Sequence, residues 1–249
     1  MTVELSHRYV IGPQPAAPGA PQHPASAPTA RAHAARYAAR ANAIEALHDA
    51  QSVDDVMRLR DKYATPVFGS VSPWSLVEML GQCIDPSDQR LYCASQQMHV
   101  LQIINAMEAE NAATPQMLLV ALVHDLGKVL LLTDEAPQNI VCMNRPLQAG
   151  TPGCGLDNCV FQWNHDEWAY ARLRDHLPDH LAWLVRYHSI LPATCLHYMD
   201  ARDQDYCRRY LKHFARYDHE TKSPFNVPQR RMADYRAIVE RALPAQMMF

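Results

Sequence analysis

Apolar residues recur every three to four positions along most of the chain from Ala35 onward, the period of helices that bury one face. Trp74, Leu76, Val77 and Leu80 follow it. So do Tyr206, Tyr210, Leu211, Phe214 and Tyr217, and, near the C-terminus, Met232, Tyr235, Ile238, Val239 and Ala242. No sustained alternation of apolar and polar residues marks a large sheet. Pro115, Pro146, Pro152, Pro178, Pro192 and Pro224 fall between the helical segments, where a fixed φ and a missing N–H open or close helices. Residues 134–158 lack any period and form one long irregular loop, a feature that in a helical domain is commonly functional. The pattern predicts an all-α helical bundle, folded as a single domain over residues 31–249.

Six prolines within sixteen positions, from Pro13 to Pro28, interrupt any such period before that point. A segment of this composition buries too little apolar surface to offset its chain entropy, so residues 1–30 are expected to be a disordered tail. Residues 30–41 are rich in Ala and Arg and carry no acid, as a transit peptide would. Glu4 and the proline run favour reading them as the first helix instead.

Composition narrows the function classes. A chain of 249 residues with 48% hydrophobic content suits one large core, or at most two small ones. A net charge of -3 provides no field for nucleic acid or an anionic membrane, and the apolar stretch 117–123 is far short of the ~20 residues a membrane helix needs. The seven cysteines are odd in number and irregular in spacing, which points to reduced thiols in a cytoplasmic protein. Cys154 and Cys159 have no second pair at zinc-ribbon spacing. A monomer acting on a small molecule is expected.

The candidate chemistry lies in the histidines. Val-His-Asp-Leu-Gly-Lys at 123–128 ends an apolar helix. There the His124 imidazole offers one neutral nitrogen, and the two oxygens of Asp125 can bridge two cations. An unpaired carboxylate in such a helix would be costly, so a charge partner is required. His99 precedes this pair. His165, in Trp-Asn-His-Asp-Glu-Trp, His188, in Arg-Tyr-His-Ser, and Asp218, in Arg-Tyr-Asp-His, follow it. A helical bundle can project all of them into one cavity. Four imidazoles and two carboxylates suit two first-row metals such as iron or manganese, and are too nitrogen-rich for magnesium and too poor in thiolate for structural zinc. Each histidine alone would more often be a satisfied core or surface residue. The order H…HD…H…H…D is what singles these out, and the other histidines, His48 among them, are read as non-ligands.

That order resembles the HD-domain superfamily, most of whose members are metal-dependent phosphohydrolases. The surrounding text is more specific. Pro-Gly-Cys-Gly-Leu-Asp-Asn at 152–158, Trp-Asn-His-Asp-Glu-Trp at 163–168, Leu-Val-Arg-Tyr-His-Ser at 184–189, Arg-Tyr-Asp-His-Glu-Thr-Lys at 216–222 and Ile-Asp-Pro-Ser-Asp at 84–88 resemble the myo-inositol oxygenase family. The likeness runs from about Val53 to the C-terminus. It implies an HD-type bundle around a mixed-valent Fe(II)/Fe(III) pair, with O2 as co-substrate and oxidative cleavage of myo-inositol to D-glucuronate. By the same resemblance one iron would be held by His99, His124, Asp125 and Asp218. The other would be held by Asp125, His165 and His188.

The resemblance also implies contacts to a polyol from Asp85, Ser189, Lys128 and Lys222. Lys128 lies one turn after His124, and its ammonium can lower the pKa of a substrate hydroxyl. A lysine here is equally at home in phosphohydrolases, Lys222 is equally readable as a solvated surface lysine, and Asp85 as a turn residue. Where the family carries a Gly-Asp pair that contacts inositol, this chain has Cys142 and Met143. The change narrows backbone approach and removes a carboxylate acceptor, while the nearby Arg145 suits an anion. The alternatives to an inositol oxygenase are therefore a di-iron oxygenase of a different, anionic or less hydroxylated metabolite, and an HD-type phosphohydrolase.

Overall fold

The computed structural model describes residues 27–249. The first 26 positions of the expected disordered tail lie outside the described residues, and its last four open the first helix. In chain order the elements are α1 (Ala27–Asp49), α2 (Val53–Lys62), β1 (Ser70–Val71), α3 (Pro73–Met79), α4 (Gln96–Ala109), α5 (Pro115–Val123), β2 (Pro146–Gln148) and β3 (Val160–Phe161). They continue with α6 (His165–Leu173), α7 (Asp179–Tyr187), α8 (Pro192–Cys195), α9 (Ala201–Tyr206), α10 (Lys212–Glu220), α11 (Arg236–Ala242) and β4 (Met247–Met248). The fold is all-α. Among the described residues the strands form two short antiparallel ribbons, β1 with β4 and β2 with β3.

Local chemistry sets the helix starts. Ser52 and Asp55 close a capping box on α2, and Ser72, Ser95, Thr114 and Asn164 cap α3, α4, α5 and α6 through their side chains. Pro73 and Pro115 take the first turns of α3 and α5, where a missing N–H costs nothing.

α5 is apolar around most of its circumference and is the central helix, with Leu119 to Val123 all buried. It packs against α4, α7 and α11. The stretch Pro115–Leu132 is apolar and long enough to cross a membrane by composition alone, but most of it lies inside the domain. Beyond Asp125 the chain tightens into a 3-10 turn, Leu126–Leu132, which packs on α6.

The apolar positions read from the periodicity are largely interior. Trp74, Leu76, Val77, Leu80, Leu211, Phe214, Tyr217, Met232, Tyr235 and Val239 are buried, while Ala242 is exposed. Between α9 and α10 the residues Cys207–Leu211 form a π-helical turn. Its extra residue shifts the phase of α10, so Phe214 and Asp218 both face the interior. The loop over residues 134–158 contains no α-helix. It is nevertheless built, with 3-10 turns at Pro137–Asn139 and Leu156–Asn158, and with Pro146 and Gln148 of β2 paired to Phe161 and Val160.

Glu135 fastens the start of this loop to α2. It accepts hydrogen bonds from Lys62 Nζ at 2.6 Å, Tyr63 Oη at 2.7 Å, Asn139 Nδ2 at 2.8 Å and the Ala136 N–H at 3.1 Å. Burial alone would raise its pKa, but these donors overcome burial and hold it down to about 2, against an ordinary 4.5. A depressed carboxylate stabilises fully above its unfolded pKa, and its contribution is lost as pH falls through the folded value. Glu135→Gln is expected to cost about 2 kcal/mol, lowering Tm by roughly 4–8 °C. Thermal melts from pH 7 down to 2 should show a flatter acid limb for the variant than for the wild type.

Candidate metal centre and active site

Four elements converge on the end of α5. α4 brings His99 in its first turn, the C-terminus of α5 brings His124 and Asp125, α6 begins at His165, α7 ends just before His188, and α10 carries Asp218 in its last turns. All six side chains are buried.

Three of the imidazoles are oriented by the backbone. His124 Nδ1 lies 3.0 Å from the Ala121 carbonyl, His165 Nδ1 2.7 Å from the Ile140 carbonyl, and His188 Nδ1 2.9 Å from the Val185 carbonyl. A carbonyl only accepts, so each Nδ1 carries the proton and each Nε2 turns a lone pair towards the centre. His99 differs: its Nε2 lies 2.8 Å from Asp218 Oδ1, and its Nδ1 has no partner.

Asp125 divides the set. Its Oδ2 lies 3.3 Å from His124 Nε2 and 3.9 Å from His99 Nε2, while its Oδ1 lies 3.1 Å from His165 Nε2 and 3.6 Å from His188 Nε2. Each oxygen thus faces its own pair of imidazoles. The potential ligand atoms of His99, His124 and Asp125 lie within 4.8 Å of one another, as do those of Asp125, His165 and His188, and those of His124, His188 and Asp218.

This arrangement fits cations. His124 Nε2 and Asp125 Oδ2 are both buried and both acceptors once Nδ1 holds the proton; neither takes a hydrogen bond, although the Lys128 ammonium forms an ion pair with Asp125 Oδ2 at 3.1 Å. Two acceptors facing each other away from water are costly unless a positive centre lies between them. Burial works against the charged forms of Asp125 and Asp218. Lys128 and the imidazole of His124 overcome it for Asp125, and Lys222 and His99 for Asp218, so both carboxyls are held far below the usual range. Nitrogen and carboxylate donors without thiolate suit iron or manganese.

The sequence reading missed Asp166. It is fully buried, with Oδ1 2.9 Å from His165 Nε2 and 3.5 Å from His188 Nε2, and with Oδ2 accepting from Ser189 Oγ at 2.5 Å. Burial disfavours a second proton on His165 while Asp166 and Asp125 favour a positive charge at its Nε2, a place that a bound cation takes from the proton. The signal was present: His165-Asp166 is an adjacent His-Asp pair, as His124-Asp125 is, although His48-Asp49 is one too. Asp88 was missed as well. It holds Lys222 Nζ at 2.9 Å.

A cavity of about 470 Å³ opens beside this centre, with Asp125, His165, His188 and Asp218 on its surface. The residues linked to a polyol by resemblance, Asp85, Lys128, Cys142, Met143, Ser189 and Lys222, all line it. Lys128 is buried, with Nζ 3.0 Å from Asp85, 3.1 Å from Asp125 and 3.1 Å from Gln96 Oε1. Burial would lower its pKa, but Asp125 and Asp85 reverse that and raise it, so it stays an ammonium. Lys222 is not a solvated lysine. Only 8% of its side chain is exposed, and it pairs with Asp88 and, at 3.4 Å, with Asp218.

Asp85 also receives the Ser87 N–H and hydroxyl on its other oxygen, so it serves the turn and the cavity together. Arg145 does not line the cavity. Its guanidinium pairs with Asp49 at 2.6 Å and Glu45 at 3.3 Å on α1, which removes the support it gave to an anionic substrate. His48, read as a non-ligand, clamps the cavity loop instead, through the carbonyls of Gln138 at 2.8 Å and Met143 at 3.1 Å.

Gly127 explains the small residue in the His-Asp-Leu-Gly-Lys run. A Cβ there would meet the His165 carbonyl oxygen at 2.2 Å and its Cα at 2.7 Å. The 3-10 turn thus passes directly over the first residue of α6. Gly127→Ala is expected to cost about 1–3 kcal/mol by overpacking and to displace His165. Metal content per chain and Tm should therefore fall together.

Comparison with known proteins agrees with the motifs. A family model described as myo-inositol oxygenase matches residues 39–145 and 142–249. The chain is similar to a probable inositol oxygenase of Oryza sativa subsp. japonica, 28% identical over 240 residues, covering 80% of this chain and 77% of the relative. It is also similar to the inositol oxygenase of Rattus norvegicus, 27% identical over 179 residues and covering 59% and 62%. The inositol oxygenase of Danio rerio is 23% identical over 248 residues, covering 84% and 88%.

Proposed function

The chain belongs to the myo-inositol oxygenase family, and on that premise we propose that it is a di-iron oxygenase that cleaves a small hydroxylated ring, myo-inositol or a close relative. The observation that carries this reading is the division of Asp125, whose two oxygens each face a separate pair of imidazoles. His99, His124, Asp125 and Asp218 would hold one iron, and Asp125, His165 and His188 the other. A mixed-valent pair, when bound, supplies the means to activate O2 and oxidise a C–H bond.

The chain's own residues bind and orient the substrate. Lys128 donates to Gln96 Oε1 and forms ion pairs with Asp85 and Asp125, so its ammonium is fixed on the cavity wall where a substrate hydroxyl can accept from it. The fixed ammonium then lowers the pKa of that hydroxyl. The Ser189 hydroxyl spends its proton on Asp166 and accepts from the Asn144 N–H at 3.2 Å, which ties the cavity loop to the end of α7. Burial of Lys128 and Lys222 keeps water from screening these charges.

Lys128→Met is expected to lower kcat/KM for oxygen uptake by about 100-fold, the scale of one positioned proton donor, while the chain still retains its iron. The class itself is tested by supplying iron and O2 with myo-inositol and following oxygen uptake and uronic-acid product. Phosphate release from phosphate esters, driven by Mn(II) without oxygen, would favour the hydrolase reading instead.

A further inference from the structure

Cys142 occupies backbone that ordinarily belongs to glycine, with φ at +80°. The conformation is not that of a loose loop. Asn164 Nδ2 donates to the Cys142 carbonyl at 3.1 Å, His48 holds the Met143 carbonyl at 3.1 Å, and the Asn144 N–H donates to Ser189 at 3.2 Å. A side chain is therefore held where a bare backbone would be easier, and it lines the cavity together with Met143 and Leu191.

The chemistry of this wall is soft and uncharged. Burial, aided by Asp85, pushes the Cys142 thiol up to about 12, so it remains protonated. Thiols and thioethers are weak hydrogen-bond partners. Elsewhere the cavity is polar but balanced. Setting aside the candidate metal ligands, the charged residues lining it are Glu45, Asp85 and Asp88 against Arg90, Lys128 and Lys222, three of each sign. Lys128 is neutralised by Asp85 and Lys222 by Asp88. Away from the candidate metal ligands, the lining therefore has neither a surplus cation for a carboxylate or phosphate nor a surplus anion for an amine.

Resting on the oxygenase reading above, we propose that the substrate is a neutral cyclitol with one edge deoxygenated or O-methylated, and that Cys142 and Met143 select it by packing against that edge. The hydroxyls on the remainder of the ring face the metal-side carboxylates and lysines. A fully hydroxylated ring would bury one hydroxyl against sulfur without a good partner, a penalty on the order of 10- to 100-fold in affinity.

The test uses the full chain loaded with iron. Anaerobic titration calorimetry measures binding of myo-inositol and of a set of monodeoxy and mono-O-methyl inositols, and oxygen uptake is measured with each. At least one capped cyclitol should bind about 10-fold or more tightly than myo-inositol and turn over faster. Cys142→Gly with Met143→Asp should reverse that order, because the pair restores free backbone approach and a carboxylate acceptor. If the double variant does not fold, the wild-type order and Cys142→Gly alone decide, since glycine suits the existing φ. Myo-inositol binding as tightly as every capped cyclitol, or a ratio unmoved by the substitutions, would overturn the inference while leaving the oxygenase reading intact. No binding of any cyclitol by iron-loaded protein would overturn the cyclitol substrate and this inference with it. A chain that takes up no iron would fail at the earlier reading.

Discussion

Asp125→Asn is expected to abolish oxygenase activity and to leave the chain unable to hold a pair of metals. The carboxylate presents Oδ2 to His99 and His124 and Oδ1 to His165 and His188. An amide keeps the volume but has one oxygen and no charge, so it cannot serve both sides. Metal-dependent charge stabilisation is worth several kcal/mol. Losing about 4 kcal/mol corresponds to roughly a 1000-fold fall in rate. Elemental analysis should find the metal content of the variant well below that of the wild type after identical loading. His124→Ala should be milder in metal content, because it removes a side chain from one pair only. Equal metal content and activity in Asp125→Asn and wild type would mean that the carboxylate does not bridge.

The second large effect is on stability. Six buried ionisable groups, joined by Asp166, crowd together beside the cavity, and several of their polar atoms lack partners within the protein. A cation that binds only the folded chain stabilises it by mass action, about 4 kcal/mol at a free concentration a thousand times its Kd. For a chain of this size that is a rise in Tm of roughly 8–16 °C. Treatment with a chelator should lower Tm by that amount, and re-addition of Fe(II) under anaerobic conditions should restore it. A melting temperature indifferent to chelation would mean that the protein satisfies this cluster without metal. Asp125→Asn should also shrink the chelator-sensitive part of Tm, which ties the two expectations together.

Much of the site was legible because its chemistry tolerates few substitutes. An imidazole and carboxylate side by side at the end of an all-apolar helix need an explanation in charge, and the H…HD…H…H…D order of the sequence offers one. The same holds for the helical period of α3, α10 and α11, which is written in apolar spacing. What the chain did not disclose depends on through-space neighbours. Asp166 reads as a residue of the first turn of α6 until His188, 22 positions on in sequence, is brought 3.5 Å from it. Arg145 looked like a cavity charge because only the fold places Asp49 and Glu45 beside it. Lys222 was ambiguous for the opposite reason, its burial depending on Asp88 from a distant turn. The π-helical turn at Cys207–Leu211 has no compositional marker, although it sets the phase that turns Asp218 inward. His48 carried no motif because its partners are main-chain carbonyls, which the sequence does not distinguish.

If Asp125 joins two irons in one site, their spins are coupled through its carboxylate. Low-temperature EPR of iron-loaded, partially oxidised protein, paired with elemental analysis of the same sample, measures this most directly. Two irons per chain and a spin-coupled mixed-valent signal, lost in Asp125→Asn, is the expected result. Isolated mononuclear ferric signals with one iron per chain, or no coupled signal at any redox poise, would contradict it.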